Sequence, residues 1–245
     1  MLDSHCHLTH PLFSADTDAV IANAKSAGLR AILCIGTSAS DSEKVLAVSR
    51  LHPSYVFPVL GLSPHDAPSA DLKEELKFLE INADSAVAIG EIGLEYRHFR
   101  EPADRQKQKD ALAAQLQLAE KHSKPVQIHC RDAHDDLYAI LADFPKLHVV
   151  MHCFYEPAFL EKSLSLGHTI SVPTLRSKKR DKVLKSVPLE RVHCETDSPF
   201  LWHAGRNEPR NVADVYRRLA EAKTLPLPEV EAAVDALANR LYKLW

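Results

Sequence analysis

The alternation of short apolar runs with amphipathic segments constrains the fold of this chain more than any other feature of its sequence. Eight runs are continuously apolar rather than alternating, which is typical of strands buried on both faces. These predicted strands span residues 1–7, 31–36, 56–62, 87–92, 126–130, 148–152, 169–172 and 192–195. Apolar residues at helical spacing predict helices at 15–27, 40–51, 103–122, 132–143, 157–166, 180–187, 211–222 and 228–244.

Eight strand–helix units in 245 residues predict an α/β fold, a single (β/α)8 TIM barrel. A doubly wound sheet shows the same alternation, but its first strand normally leads into a glycine-rich turn, and here that strand ends in Asp3-Ser4-His5-Cys6-His7. The chain has only seven glycines and neither a G-x-G-x-x-G motif nor a Gly-Lys pair, which excludes both common nucleotide-phosphate loops. Because no linker or repeat is visible, we expect one domain over residues 1–245.

Composition narrows the possible class and location. A net charge of −3 excludes a histone-like electrostatic binder, although a local basic patch stays possible. No run of about 18 apolar residues and no basic-then-apolar N-terminus is present, so we predict no membrane span, no signal peptide and a cytoplasmic location. Five cysteines without a C-x-x-C pair support neither a disulfide framework nor a zinc ribbon.

Polar residues that could take part in catalysis or metal binding lie near the carboxyl ends of the predicted strands. In a parallel barrel these ends converge on one face, where active sites form, so residues distant in sequence are expected to meet there. The candidates are His5, His7, His65, Glu91, His129, Arg131, His152 and Asp197.

Spacing within the strands indicates which of these side chains share a face. His5 and His7 are two residues apart and should point the same way, with Cys6 opposite. The same reasoning turns Cys130 and Cys153 away from the neighbouring histidines and argues against cysteine ligands. Four imidazoles and two carboxylates remain, namely His5, His7, His129, His152, Glu91 and Asp197. One H-x-H is a weak signal, but an ionised glutamate in an apolar strand is costly without a partner.

This mixed nitrogen and oxygen set predicts a metal centre. It suits zinc, manganese or iron better than magnesium, which prefers oxygen ligands. Six ligands exceed the needs of one open catalytic site, so two ions fit better than one.

At this point the residues resemble the TatD family of metal-dependent hydrolases, in order and over essentially the whole chain. The similar segments are His5-x-His7, Gly90-Glu91-Ile92-Gly93-Leu94, Pro125-Val126-x-Ile128-His129-x-Arg131-Asp132-Ala133, His152-Cys153-Phe154, Glu195-Thr196-Asp197-Ser198-Pro199 and Arg206-Asn207-Glu208-Pro209. The resemblance implies a TIM barrel of the amidohydrolase-like group and divalent-metal hydrolysis of phosphodiesters. Members act as deoxyribonucleases, often from the 3′ end.

The resemblance also implies roles for individual residues. His5, His7, Glu91 and Asp197 would hold one ion; Glu91, His129 and His152 would hold a second, with Glu91 bridging. His65 and Arg131 match positions near the bound phosphate. The chain departs from the family pattern at Glu95, usually Asp, at Ser63, usually His, and at Leu112, usually Phe.

The predicted mechanism uses two divalent ions (Mg²⁺, Mn²⁺ or Zn²⁺) that activate a water and neutralise phosphoryl oxygens. Asp197 and Glu91 are the predicted catalytic residues, with Asp197 orienting or deprotonating the water. Arg131 and His65 are predicted to contact phosphate. The alternatives are an ion pair of Arg131 with Asp132 or a nearby acid, and a loop-stabilising role for His65. The expected substrate is DNA, single-stranded or at 3′ ends, or a small phosphodiester, and no membrane or obligatory protein partner is expected.

Two other functions were weighed against the nuclease. A metal-dependent amidohydrolase or lactonase uses the same barrel, but many such enzymes resemble a scheme with a carboxylated lysine on strand 4, and this chain has Glu91 there. A non-catalytic binding module predicts the loss of some metal-ligand residues and a broad basic face, and this sequence shows neither. The basic run 176–182 is interpreted equally as a nucleic-acid contact or a solvated helix start, and Trp202 as packing more readily than as a base platform.

Overall fold

The computed structural model describes residues 1–245 and confirms the barrel. Eight parallel strands form one sheet in sequence order. They are β1 (Leu2–Cys6), β2 (Ala31–Ile35), β3 (Val56–Leu60), β4 (Ala88–Glu95), β5 (Val126–Arg131), β6 (Val149–Met151), β7 (Thr169–Val172) and β8 (Val192–Cys194). The residues after β8 close the ring against β1, because Asp197 N–H donates to the His5 carbonyl at 2.9 Å and His7 N–H to the Ser198 carbonyl at 2.8 Å.

Nine helices connect and cover the strands. They are α1 (Thr17–Ser26), α2 (Ala39–Leu51), α3 (Leu72–Asn82), α4 (Pro102–Lys121), α5 (His134–Leu141), α6 (Leu160–Ser165), α7 (Lys178–Ser186), α8 (Val212–Lys223) and α9 (Leu227–Tyr242). None combines the length and the hydrophobicity needed to cross a bilayer.

The structure contains one helix that the sequence prediction lacks, α3, which lies between the predicted strands 56–62 and 87–92. The signals for it exist: the Asp71 side chain caps the N–H groups of Lys73 and Glu74, and Leu72 and Leu79 stand seven residues apart on one face. The strand limits also differ from the prediction. β4 runs to Glu95, three residues beyond the predicted end at Ile92, and so carries two carboxylates rather than one.

The hydrophobic residues divide between the two faces of the sheet. In β2, Ile32 and Cys34 belong to the large core between strands and helices, whereas Ala31, Leu33 and Ile35 belong to a smaller cluster inside the barrel. Ala238, Tyr242 and Leu244, from α9 and the residues after it, join that inner cluster. The C-terminal end of α9 therefore packs against the amino-terminal end of the barrel, and the polar residues occupy the opposite end.

Candidate active site

A cavity of about 910 Å³ opens at the carboxyl ends of the strands. Seven of the eight predicted site residues line it: His7, His65, Glu91, His129, Arg131, His152 and Asp197. The eighth, His5, is fully buried and faces Glu91. The barrel thus brings together residues separated by up to 192 positions in the chain (His5 and Asp197).

The first group of donors surrounds one oxygen of Glu91. Its Oε2 lies 3.6 Å from His5 Nε2 and 3.7 Å from His7 Nε2. Asp197 Oδ1 approaches the same two nitrogens at 3.8 and 3.4 Å. Two imidazole nitrogens therefore face two carboxylate oxygens, as the i, i+2 spacing of His5 and His7 predicts for one face of a strand.

The second group surrounds the other oxygen of Glu91. Its Oε1 lies 2.8 Å from His129 Nδ1 and 3.8 Å from His152 Nε2. Glu91 is buried on β4 between these two groups and divides its oxygens between them. This is the arrangement that a bridging carboxylate requires.

The charges in the site are strongly coupled. Burial alone raises the pKa of Glu91, but the neighbouring imidazoles of His129, His5 and His152 outweigh it and hold that pKa well below its usual range. Burial alone lowers the pKa of His129, and the carboxylates of Glu91 and Glu95 outweigh it, raising the pKa to about 9. In the same way Glu195 and Glu91 raise the pKa of His152 to about 10 against its burial. Because a metal ion binds the neutral form of an imidazole, a bound cation would displace these protons.

The donors present fit a divalent metal centre. His5 Nε2 is buried without a hydrogen-bond partner, although it lies between two carboxylates. A buried imidazole nitrogen rarely stays unpaired, and a cation between these groups would use its lone pair. Imidazole and carboxylate ligands in this ratio suit zinc or manganese.

Two residues that contact candidate ligands have no role predicted from the sequence. Buried Glu195 accepts hydrogen bonds from His152 Nδ1 at 3.1 Å and from the Cys153 N–H at 2.8 Å. Gln127 accepts one from His5 Nδ1 at 2.7 Å. The sequence offers a signal for both residues, because each is a polar residue in an apolar strand. Glu195 lies two positions before Asp197, and Gln127 lies two positions before His129, which indicates a shared face in each strand.

Glu95, where the chain departs from the family pattern, has a buried carboxylate at the centre of a ring of nitrogen donors. Its Oε2 lies 3.3 Å from His129 Nε2, 3.8 Å from His65 Nε2 and 3.9 Å from Arg131 Nη1. The acid within ion-pair distance of Arg131 is therefore Glu95, whereas Asp132 lies 3.7 Å from Arg97. The guanidinium also borders the cavity.

The expectation that Cys153 turns away from the site is wrong. Cys153 adopts a left-handed backbone conformation with φ +49°, which breaks the strand alternation after His152. Its side chain lines the cavity, and its sulfur lies 3.6 Å from Arg180 Nη2. Cys130 borders the cavity too, but it packs against the hydrophobic core.

The residues at the rim of the cavity bear on the two interpretations of the basic run 176–182 and of Trp202. Of the basic run, Arg180 lines the cavity, whereas Arg176 pairs with Asp214 and Lys179 with Glu156. Trp202 does not line the cavity. Phe200 does, with 46% of its surface exposed.

Known proteins are similar to this chain in sequence and in fold. A family model described as TatD related DNase matches residues 2–243. The human protein named Deoxyribonuclease TATDN3 is 31% identical over 258 residues, covering 99% of this chain and 94% of its own. The 3′-5′ ssDNA/RNA exonuclease TatD of Pectobacterium parmentieri is 32% identical over 265 residues, covering 100% of both. The crystal structure of YjjV, a TatD homologue from Escherichia coli, superposes with a TM-score of 0.90 at 29% identity, covering 99% of this chain and 98% of that one.

Proposed function

The chain belongs to the TatD-related DNase family, and we propose that it is a divalent-metal-dependent nuclease that hydrolyses phosphodiester bonds of DNA. The observation that carries this proposal is the division of the Glu91 oxygens between two groups of imidazoles. The names of the bacterial relatives, which are 3′-5′ exonucleases of single-stranded DNA and RNA, support attack on single strands from the 3′ end.

The proposed centre holds two ions. His5, His7 and Asp197 would hold one, His129 and His152 the other, and Glu91 would contribute to both. Mg²⁺, Mn²⁺ and Zn²⁺ are the candidate ions. When bound, such ions lower the pKa of a coordinated water and neutralise phosphoryl oxygens.

Asp197 is the proposed base that orients the attacking water and accepts its proton. Burial alone raises the pKa of Asp197, but the hydrogen bond from His7 and the charges of His152 and His5 lower it, so the carboxylate is ionised at neutral pH. Its side chain reaches the cavity, where a water would contact it. Glu91 is proposed to hold the two halves of the site in register.

Arg131 and His65 are proposed to hold the phosphate. Arg131 presents a guanidinium at the cavity wall, and its planar fork suits two phosphoryl oxygens. Burial and the neighbouring His129 lower the pKa of His65, so this half-exposed ring donates a hydrogen bond as a neutral group.

Two further parts of the proposal concern the alternative chemistry and the location. β4 carries Glu91 and no lysine, which favours the phosphodiesterase over the amidohydrolase or lactonase. All five cysteines are free thiols, which suits a reducing compartment such as the cytoplasm. No protein partner is proposed.

The test uses chelator-stripped protein and single-stranded DNA labelled at the 5′ or the 3′ end. Magnesium, manganese and zinc are added back separately. We expect a metal-dependent ladder from the 5′-labelled strand and early release of labelled mononucleotide from the 3′-labelled strand. His129→Ala should abolish both, while His52→Ala, a histidine paired with Asp18 outside the cavity, should not. No cleavage by protein that binds metal would contradict the proposal.

A further inference from the structure

Gln127 lies inside the barrel, directly beneath the candidate metal centre. It stands on β5, two residues before His129, and is almost fully buried. The backbone of β4 passes very close to it. A Cβ on Gly90 would approach the Gln127 Cβ to 2.8 Å and its carbonyl oxygen to 2.9 Å. Glycine at position 90 therefore leaves the room that the Gln127 side chain occupies.

The hydrogen bonds of Gln127 determine the orientation of its amide. Nε2 donates to the Ser4 carbonyl at 3.0 Å and to the Tyr242 hydroxyl at 3.1 Å. A carbonyl only accepts, so turning the amide over would set two acceptors against each other. Oε1 must then face His5 Nδ1, at 2.7 Å.

This orientation settles which nitrogen of His5 carries the proton. An amide oxygen only accepts, so His5 Nδ1 must donate, and the lone pair of the neutral ring resides on Nε2. Nε2 is the atom that lies 3.6 Å from Glu91 and 3.8 Å from Asp197 without a hydrogen-bond partner.

The two halves of the site differ in these supporting groups. His152 and His129 are backed by the carboxylates of Glu195 and Glu95, at 3.1 and 3.3 Å. His5 is backed by a neutral amide. A carboxylate partner increases the basicity of an imidazole more than an amide does, because the hydrogen bond is charge-assisted.

We propose that Gln127 is a positioning residue that selects Nε2 of His5 as a metal ligand, and that Tyr242 of the last helix holds its amide in place. Gln127 would then affect the zinc affinity of the half of the site formed by His5, His7 and Asp197, and not that of the half formed by His129 and His152. Tyr242, at the C-terminal end of α9, would thereby support the proposed metal centre without contacting it. This inference depends on the metal centre of the proposed function, and not on the substrate.

The test measures zinc dissociation constants by chelator competition at pH 7. His7→Ala and His152→Ala identify which constant belongs to which half of the site. Gln127→Met removes the acceptor at similar volume and should weaken zinc binding at the His7 half about 10- to 100-fold, as loss of an outer partner does. The His152 half should stay within about 2-fold, and Glu195→Gln should show the reverse pattern.

Two further variants separate positioning from packing. Gln127→Glu keeps the acceptor for His5 Nδ1, and in its protonated form it also keeps a donor to the Ser4 carbonyl. It should therefore bind zinc at the His7 half within about 3-fold of wild type, whereas a glutamine needed only for packing predicts the same constant in Gln127→Glu and Gln127→Met. Tyr242→Phe should weaken the same half several-fold. Gln115→Met is the matched control, since Gln115 is an equally buried amide bonded to Leu62 outside the metal centre. It should leave both constants unchanged.

The outcomes distinguish this inference from the proposed function. A wild-type protein that binds no zinc, manganese or magnesium would overturn both. Two bound ions whose constants are unchanged in Gln127→Met and Gln127→Glu would overturn the positioning role alone. If Gln127→Met does not fold, Gln127→Glu and Tyr242→Phe decide, and weakening of the His152 half by either would overturn the inference.

Discussion

The Oε2 atom of Glu95 lies 3.3 Å from Nε2 of His129, on the opposite side of the imidazole from Glu91. The other oxygen, Oε1, accepts the backbone N–H groups of Arg97 at 2.8 Å and His98 at 3.2 Å. Burial alone raises the pKa of Glu95, but the His129 hydrogen bond and charge outweigh it and lower the pKa to about 2. The carboxylate is fixed in place and charged, so the side chain that departs from the family pattern still contacts a proposed metal ligand.

Glu95→Gln keeps the shape of this contact and removes its charge. We expect kcat on single-stranded DNA to fall about 10- to 100-fold, because the amide orients His129 less strongly and lowers its basicity. Steady-state kinetics at saturating metal measure the change. Glu101→Gln, at the exposed start of α4, is the control and should behave as wild type. An unchanged kcat in Glu95→Gln would show that Glu95 does not act through His129.

Cys153 lines the cavity beside His152, but we expect it to remain outside the ligand set. Burial raises the pKa of its thiol, with the charges of Asp197 and Glu195 adding to the effect, so the sulfur is protonated at neutral pH. Metal binding requires the thiolate. Cys153→Ser should therefore retain two ions per chain by elemental analysis and its nuclease activity within about 3-fold. Loss of one ion would make Cys153 a ligand.

Phe200 offers an exposed ring at the mouth of the cavity. Its centroid lies 5.1 Å from that of His10 and 6.2 Å from that of His7, which places it beside the proposed ions. Stacking of one base on an aromatic ring contributes about 1 to 3 kcal/mol, so Phe200→Ala should raise KM for single-stranded DNA about 5- to 160-fold. Leu51→Ala, an exposed apolar residue outside the cavity, is the control. Equal KM values for both variants would exclude base stacking at this ring.

Stability should fall on the acid side because two histidines are buried as neutral rings. Burial lowers the pKa of His168 to about 4 and that of His193 to about 4. The unfolded chain then binds more protons below pH 6.5, so the free energy of unfolding decreases as the pH falls from 6.5 to 4.

Each ring contributes up to about 3 kcal/mol to this loss, since one pKa unit corresponds to about 1.4 kcal/mol. His168→Phe keeps a ring stacked on Tyr138, whose centroid lies 6.2 Å away, without the titrating group. Urea unfolding of metal-free protein at pH 7 and pH 5 should show a smaller difference for this variant. An equal difference would assign the acid sensitivity elsewhere.

The strands were predictable because burial on both faces leaves a continuous apolar run, and the six proposed ligands because strand ends meet in a barrel. Helix α3 was not predicted, although the capping residue Asp71 and the spacing of Leu72 and Leu79 indicate a helix. Glu195 and Gln127 could be located on the correct strands, but their partners could not be named. Hydrogen bonds between residues 43 and 122 positions apart depend on which strands become neighbours and on their register.

Chain chemistry alone establishes the fold class, the order of the strands and the donors gathered at one end, because periodicity and residue type are local properties. The tertiary structure decides which side chains enter the cavity and which charged groups lie next to each other. It turns Cys153 into the cavity through a backbone conformation that strand alternation does not anticipate, and it pairs Arg131 with Glu95 rather than with its neighbour Asp132. These outcomes depend on local dihedral angles and on distances of a few ångströms between separate strands, and no spacing along the sequence encodes them directly.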